Sequence, residues 1–445
     1  MDSQHMTPVE KQAARFKEWQ TTENMSFADP EAKRLYDERT QMIKDVVQLK
    51  KPVRIPVCPI IGFYPFAYAG VTAEEAMYDT DKLGMALKKF HADFQPDSLA
   101  GAAIYGSGQI FDILDYKLYR WPGRGVAPTL PYQCIEGEYM QADEYDLFLN
   151  DPSGFFNRFY LPRVFGALDA WKMLAPLTDI LELPFFGPYI VPIGIPPVQD
   201  AYMKLLEAGR YAMQWIQACS AIDGATMSTQ GIPVIMGGFT KAPFDTLGDT
   251  MRGTRAIMLD MFRQPKKLLA ALEKMTPLAI DMGLRTATMG KNPMVFIPLH
   301  KGADGFMSNK DFNTFYWPTL KAVILGLVNE GAVPYIFVEG GYNQRLDFIT
   351  DPDIPKASTI WIFDKTEMKE VKKRFTGWAC FGGNVPTSML KVSTPGLICD
   401  HVKQLIDEVA SDGGYILCNG AVLDDAVPEN LHALIKTGKE YGKYS

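Results

Sequence analysis

Eight short apolar segments recur along this 445-residue chain, and this recurrence limits the possible folds more than any other feature. Turn-forming residues bound each segment, and a stretch with helical periodicity follows most of them. Short strands that alternate with helices predict a parallel sheet, and eight such units predict a closed α/β fold, the (β/α)8 TIM barrel. The predicted strands are residues 53–60, 97–103, 232–238, 294–299, 334–339, 359–363, 377–382 and 414–418.

Two parts of the chain fall outside this barrel pattern. Residues 1–50 are charged and helical in pattern, so we expect an N-terminal helical arm packed on a barrel of residues 51–445. Residues 104–231 separate the second and third predicted strands and are too many for one crossover connection. Because they hold the Gly/Pro-rich sequence RWPGRGVAPTLPYQ and amphipathic stretches, we predict a large inserted cap there.

Polar side chains stand at or just after the ends of several predicted strands. The active sites of TIM barrels lie at the C-terminal ends of the strands, and this rule selects His300, Glu339, Asp364, Asn384 and Cys418. Glu339 is the strongest candidate, because a carboxylate that ends the apolar run YIFV is costly to bury without a purpose. His300 could act as a hydrogen-bonding residue, a general acid or a metal ligand, and the sequence leaves these three roles open. Cys418 is either a metal ligand or a packed thiol.

An ordered set of motifs resembles one enzyme superfamily. The segment IPVIMGGFTKAPFDTLGDTMRG at 232–253 is followed by HKGADGFMS, VPYIFVEGG, GNVPTSML and GGYILCNGAVLDD. In the same order, the set resembles the uroporphyrinogen decarboxylase superfamily over about residues 50–440, most weakly within 104–231. The resemblance implies a TIM-barrel enzyme and is more specific for the superfamily than for one reaction.

Departures from the family pattern select a branch. Decarboxylases of this superfamily carry paired Arg residues and a carboxylate after the first strand, whereas here that region is CPIIGFYPFAYAG. Because an acidic tetrapyrrole needs cationic partners, we do not expect porphyrinogen decarboxylation. The thiol-activating methyltransferases use a zinc-binding His-x-Cys pair and a late Cys, but Val338, Gly340 and Gly420 occupy those positions. The thiol-methylating reaction is therefore disfavoured too.

The resemblance to the corrinoid-dependent branch implies a methyltransferase that demethylates an aryl methyl ether such as guaiacol, veratrole or vanillate. The methyl group would pass to cobalamin on a separate corrinoid protein, since the sequence lacks a cobalamin-binding Asp-x-His-x-x-Gly motif. The catalytic residues would be His300, Glu339 and Asp364, which would supply an acid to the ether oxygen, and zinc would be held by His300, Glu339 and Cys418. The expected substrate contacts are Phe63, Tyr64, Asp97, Phe185, Phe186, Met236, Phe239, Tyr342 and Asn384.

Two other reactions stay open on the sequence. One is methyl transfer from another small donor, such as a methylamine, methanol or a methyl thiol, and the aromatic residues argue against it. The other is decarboxylation or lysis of a small organic acid, which needs cations near the barrel mouth. Lys241, Lys301 and Arg345 keep that reaction open.

The composition and charge of the chain limit the partners it can bind and the cellular compartment we expect. A net charge of −7 with no stripe of Lys and Arg argues against nucleic-acid binding. No apolar stretch approaches the length of a membrane span, and the polar N-terminus lacks the apolar core of a signal peptide, so we expect a cytoplasmic protein. Six scattered cysteines without a CxxC pair argue against a disulfide framework. A homodimer is a further expectation.

Overall fold

Eight extended segments form a ring in the computed structural model, which describes residues 6–23, 25–179, 182 and 186–444. Six of the segments are parallel strands that pair in chain order, β4-β5-β6-β7-β8-β9. The barrel strands are β4 (Gly238–Phe239), β5 (Met294–Leu299), β6 (Val333–Val338), β7 (Ile360–Phe363), β8 (Cys380–Val385) and β9 (Tyr415–Asn419). Three short strands form a separate sheet, β1 (Tyr119–Pro122), β2 (Gly125–Val126) and β3 (Gln133–Cys134).

The remaining two segments complete the ring through individual backbone hydrogen bonds. Cys58 N donates to the carbonyl of Leu417 in β9, and Asp97 N donates to the carbonyl of Val57, both at 2.9 Å. The backbone at residue 99 then bridges in parallel to residue 234, just before β4. The predicted α/β TIM-barrel fold is therefore confirmed.

The prediction of regular strands at 53–60 and 97–103 was wrong in detail. Pro52, Pro56 and Pro59 lack the N–H donors that a continuous ladder requires, so the first segment pairs only at separate points. The second segment ends at Gly101, whose φ of +104° turns the chain into a short 3-10 turn at Ala102–Tyr105. Each segment still occupies its place in the ring.

The N-terminal helices α1 (Pro8–Gln20) and α2 (Pro30–Val47) close the bottom of the barrel. Their apolar side chains Phe16, Trp19 and Ile43 belong to the same buried cluster as the inward-facing side chains of the strands. Asp29 begins α2 as its N-cap, because its carboxylate accepts a 2.8 Å hydrogen bond from the N–H of residue 32. With the bottom filled, access to the barrel interior is from the other end.

The other helices surround the barrel or build the cap. In chain order they are α3 (Tyr64–Ala69), α4 (Ala73–Tyr78), α5 (Thr80–Phe94), α6 (Gly108–Leu114), α7 (Tyr145–Asn150), α8 (Pro152–Phe155), α9 (Leu161–Val164), α10 (Gly187–Ile190), α11 (Pro196–Gln230), α12 (Pro243–Thr246), α13 (Thr254–Arg263), α14 (Pro265–Met289), α15 (Asn309–Asp311), α16 (Trp317–Asn329), α17 (Leu346–Ile349), α18 (Met368–Phe375), α19 (Thr387–Val392), α20 (Pro395–Val409) and α21 (Pro428–Tyr441). Short 3-10 or π turns span Phe156–Tyr160, Gly166–Met173, Val191–Gly194, Leu247–Met251 and Phe312–Tyr316. No helix within the described ranges combines the length and apolarity that crossing a membrane requires.

The inserted region holds the β1–β3 sheet and helices α6 to α11, and it reaches over the C-terminal end of the barrel. Met140 N donates a 2.8 Å hydrogen bond to the carbonyl of Met251, and Glu136 lies 3.3 Å from Lys301 in the loop after β5. The 35-residue helix α11 packs against α2 and α5 and leads the chain back to the barrel bottom. The cap therefore lies beside the end of the barrel where chemistry is expected.

Candidate active site

Three of the predicted site residues meet at the mouth of the barrel. The last residues of β5, β6 and β7 pair with one another, and the residues that follow these strands are His300, Glu339 and Asp364. Phe337 and Ile362, two positions earlier in β6 and β7, face the barrel interior. Since side chains alternate along a strand, Glu339 and Asp364 also turn inwards. The register of the sheet thus brings these side chains together.

The ring of His300 is held in one orientation. Its Nδ1 lies 2.5 Å from Oδ2 of Asp249, and its Nε2 lies 3.7 Å from Oε2 of Glu339. Burial disfavours the charged ring, but the hydrogen bond to Asp249 and the charges of Asp249 and Asp245 outweigh it and raise the pKa of His300. The side chain is 35% exposed, so Nε2 can present a proton at the open mouth.

Glu339 is a carboxyl group that is easier to protonate than usual. Burial raises its pKa, the negative charges of Asp364, Asp245 and Asp249 raise it further, and His300 alone opposes them. Asp364 is fixed by a 3.0 Å hydrogen bond from Gly340 N, and burial raises its pKa as well. Raised pKa values in a carboxyl and a neighbouring imidazole suit a site that moves protons near neutral pH.

Asp249 is the group that orients His300, and it was not among the site residues predicted from the sequence. Its carboxylate also binds the ammonium groups of Lys241 and Lys301, the latter at 2.7 Å. Although burial acts in the opposite direction, these cations and His300 hold the pKa of Asp249 well below its ordinary value. Asp249 is therefore an anionic centre on which three basic groups converge.

Asp245 is a second carboxyl group missed from the sequence, and it fixes the loop after β5. It is fully buried and accepts hydrogen bonds from the backbone N–H groups of His300 at 3.0 Å and Lys301 at 2.9 Å. The hydroxyl of Tyr316 donates to it at 2.6 Å. The spacing of Asp245 and Asp249 was the available signal, because residues four apart in a helical segment share one face.

The cap contributes an aromatic cavity of about 330 Å³ next to this site. The residues that line it are Ile104, Gly106, Ile110, Phe111, Leu114, Tyr116, Tyr119, Tyr132 and Phe165. Burial raises the pKa of Tyr119, and the nearby groups of Cys134 and Asp249 contribute to the rise. Tyr119 pairs with Cys134 in the β1–β3 sheet, and Glu136, two residues after Cys134, lies 3.3 Å from Lys301, so the part of the cap that holds the cavity also contacts the polar cluster.

Three predicted substrate contacts lie beside the cap cavity or along the barrel interior. The ring of Phe63 meets Tyr132 of the cavity edge-on, with 5.2 Å between ring centroids. Phe239 lies 6.4 Å from Phe296 on the inner barrel wall and is 41% exposed, so its ring faces accessible space. Met236 packs against the inward-facing residues of the same wall. Phe239 therefore offers an exposed ring, whereas Phe63 is buried and Met236 lies level with the first residue of β5, because the neighbouring Gly237 N donates to the carbonyl of Met294.

Other predicted substrate contacts lie elsewhere. Tyr64 is buried among Phe90 and Phe94 of α5, and Tyr342 is fully buried against Phe312, so neither ring lines an open surface. The amide of Asn384 donates to the backbone carbonyls of Asp364 and Thr366, at 2.8 and 2.9 Å, and so supports the loop after β7. Phe186 is an exposed residue of the turn before α10. Phe185 lies outside the described residues.

Asp97 lies at the opposite end of the barrel from His300. It is fully buried, and its carboxylate accepts bonds of 2.6 and 2.8 Å from Arg54 and one of 2.8 Å from Val57 N. Lys439, in the last turn of α21, is 3.7 Å away. Asp97 therefore ties the first two segments of the ring together and does not line the mouth. The prediction that Asp97 contacts the substrate at the barrel mouth was therefore wrong, because its carboxylate is bound by Arg54 at the other end of the barrel.

We expect the Asp97→Asn substitution to destabilise the fold by about 3 to 5 kcal/mol, because it leaves the buried cation of Arg54 without its counter-charge. Chemical denaturation measures the free energy of unfolding. The matched control is Asp281→Asn, which removes an exposed ion pair with Arg285 and should cost about 0.5 kcal/mol or less. Equal stability of the two variants would contradict the structural role of Asp97.

The predicted zinc set does not fit a metal. Cys418 is fully buried inside the barrel, and burial together with Cys58 and Cys380 raises its pKa well above the ordinary value, whereas zinc requires a thiolate. His300 and Glu339 face each other at the mouth, with 3.7 Å between Nε2 and Oε2. Over the described part of the chain, no three His, Cys, Asp or Glu side chains are placed to hold a metal ion.

Comparison with known proteins agrees with this architecture. A solved structure described as a methyltransferase from Methanosarcina mazei superposes with a TM-score of 0.59 at 13% sequence identity, over 92% of this chain and 98% of that one. A B12-independent methionine synthase from Shewanella sp. W3-18-1 gives a TM-score of 0.33 at 9% identity, over 46% and 60% of the two chains, too low to carry an argument. No curated protein matches the sequence.

The family assignment rests on a sequence model. The model of the family "Uroporphyrinogen decarboxylase (URO-D)" matches residues 213–441. The match begins within α11 and covers β4 to β9, the strands that carry His300, Glu339 and Asp364. Since it spans more than half of the sequence, the chain belongs to the uroporphyrinogen decarboxylase family.

Proposed function

We propose that this protein is a methyltransferase that demethylates an aryl methyl ether and passes the methyl group to a separate corrinoid protein. One observation carries the proposal: His300 is oriented by Asp249, so that its Nε2 faces Glu339 at an accessible mouth. The cap, which contacts Lys301 of this site through Glu136, holds an aromatic cavity. The description of the Methanosarcina mazei structure as a methyltransferase is consistent with the proposed reaction class.

The chain's own contribution to this reaction is an acid. The corrinoid cobalt on the partner protein would supply the nucleophile that accepts the methyl group. As the bond between the methyl carbon and the ether oxygen breaks, the electron pair stays on oxygen, and Nε2–H of His300 donates a proton to it. The product leaves as a neutral phenol, and the imidazole regains a proton from solvent. Asp249 stabilises the charged ring before the transfer, and the carboxyl group of Glu339 lies 3.7 Å from the Nε2 that gives up the proton.

The aromatic ring of the substrate would bind in the cap cavity. Its volume of about 330 Å³ falls in the range of small-molecule sites, which is about 300 to 1,000 Å³. Side chains such as Phe111, Tyr116 and Phe165 offer flat apolar surface, against which an aromatic ring stacks or meets an edge. The same wall offers no cationic side chain, which suits an uncharged ether such as guaiacol or veratrole better than a dianion.

We expect the Ile104→Trp substitution to raise KM for the ether by about tenfold or more, because the indole would fill part of the cavity. Ile104 is an exposed rim residue, so the fold should tolerate the change. Steady-state kinetics over a series of ether concentrations measure the effect. Leu130→Trp is the control, since Leu130 is an exposed cap residue that does not line the cavity. An unchanged KM for Ile104→Trp would place the ring elsewhere.

The decisive test is reconstitution with a reduced corrinoid protein and guaiacol, veratrole or vanillate. The proposal expects release of the corresponding phenol together with a change in the visible spectrum of the corrinoid. Omission of either protein should abolish both signals. Failure of all three ethers to yield a phenol, with the corrinoid shown to be reduced, would overturn the proposal.

A second candidate function is decarboxylation or lysis of a small organic acid, and one observation favours it. Lys241 and Lys301 both reach the site, where they could hold a substrate carboxylate. Asp249 already neutralises these two ammonium groups, however, and Arg345 is fully buried and bonded to backbone carbonyls. The methyltransferase proposal therefore has the stronger support. Release of carbon dioxide from a small acid, without any corrinoid, would favour the alternative.

A further inference from the structure

The long cap helix α11 has an apolar face that nothing in the described chain covers. Between residues 203 and 216 of this helix, four apolar side chains are each at least half exposed: Met203, Leu206, Met213 and Ile216. The opposite side of the same helix is buried, at Ala201, Ala208 and Trp215. Surface patches of this length and apolarity on a soluble protein mark interaction sites.

The spacing of these four residues is symmetric. Met203 and Ile216 are equally far from the midpoint between residues 209 and 210, and so are Leu206 and Met213. An antiparallel copy of the same helix, related by a two-fold axis through this midpoint, would pair Met203 with Ile216 and Leu206 with Met213. A two-fold interface requires this kind of self-complementary surface, in which each contact occurs twice.

The centre of the face favours close approach of a second helix. Gly209 lies at the centre, and the space around its Cα is open, because no atom lies within 4 Å of the position that a Cβ would take. A bare glycine backbone lets helices pack closely. The two sides of the centre also carry opposite charges, Glu207 and Arg210. Glu207 pairs with Lys204 of its own helix at 3.0 Å, and in the antiparallel arrangement it would also come near Arg210 of the partner subunit, a contact that the two-fold axis repeats.

We infer that two copies of this chain associate through an antiparallel pair of α11 helices centred on Gly209. The inference is independent of the reaction proposed above, because it rests on the outer face of the cap alone. A partner with an unrelated surface would not require the symmetric spacing or the doubled charge pair. A specific dimer buries about 800 Å² on each subunit, and the exposed side chain of Leu205, next to Leu206, extends the patch towards that area.

The experiment measures the mass of the full-length protein in solution by sedimentation velocity and light scattering. We expect the wild-type protein to have twice the mass of one chain, and Met213→Glu or Leu206→Glu to halve it by placing carboxylates in the apolar centre. Met289→Glu is the control, because Met289 is a highly exposed methionine at the end of α14. Circular dichroism should show every variant folded, since all three positions are exposed.

A second measurement fixes the orientation of the helices. The double variant Leu206→Cys/Met213→Cys should form an intermolecular disulfide between positions 206 and 213 under mild oxidation, and peptide mass spectrometry identifies it. Leu206→Cys alone should not link, because the two copies of position 206 would lie about 10 Å apart along the helix axis. A monomeric wild type, a dimer that survives Met213→Glu, or loss of the dimer in Met289→Glu would overturn the inference.

Discussion

Replacement of His300 by Gln should lower kcat/KM for ether demethylation by about 10²- to 10⁴-fold, the usual contribution of a general acid. Glutamine can still donate a hydrogen bond to Asp249, so the geometry of the cluster should be kept. It cannot release a proton to the ether oxygen, so the phenolate would have to leave with its charge uncompensated. Release of the phenol in the reconstituted assay measures the loss.

The control for this substitution is His401→Gln. His401 is a half-buried histidine of α20, on the outside of the barrel and away from the mouth. Its replacement should leave kcat/KM within a factor of two of wild type. Because both variants lose an imidazole, a difference between them reports the position of His300. Electron-poor phenols are better leaving groups and need less acid assistance, so His300→Gln should impair their ethers least. Equal impairment across a series of leaving groups would exclude His300 as the proton donor.

The convergence of His300, Glu339 and Asp364 could be predicted from the sequence because it depends on regular geometry. Parallel strands end at one edge of the barrel, and the alternation of side chains decides which residue after each strand faces inwards. Local signals also mark the helical segment after β5, since Ser308 caps α15 and Gly331, with a φ of +73°, follows the end of α16. Strand ends, side-chain alternation and helix caps can be predicted from local sequence patterns once the fold class is known.

The predictions of site residues failed where a residue's role depends on its position along the barrel axis or on contacts between distant parts of the chain. Cys418 belongs to a barrel strand, but it lies within β9 and not beyond its end, which places its thiol in the packed interior. Asp97 begins its segment, so it faces the bottom of the barrel, where Arg54 binds it. Asp249 lies in a short turn after β4, and only the folded chain brings that turn beneath the loop at His300. No local pattern contains that contact.

The Asp249→Asn substitution should lower kcat/KM at neutral pH by about 10- to 100-fold, because a hydrogen bond to a charged group is worth about 1.5 to 3 kcal/mol. Asp249 raises the pKa of His300 by stabilising the charged ring. Activity that requires the charged ring is present below this pKa and is lost as the pH rises through it. Asparagine lowers the pKa, and the freed ammonium groups of Lys241 and Lys301 lower it further. The alkaline limb of the pH profile should therefore move to lower pH.

This shift distinguishes a positioning residue from a structural one. At acidic pH the ring of His300 is charged even without Asp249, so Asp249→Asn should recover much of its lost activity there, whereas His300→Gln should recover none. Asp281→Asn, which removes an exposed carboxylate on α14, should leave the profile unchanged. A uniform loss of activity at every pH would mean that Asp249 only supports the loop. A wild-type profile in Asp249→Asn would mean that the proton comes from another group, and Glu339, 3.7 Å from Nε2, would then be the acid to test.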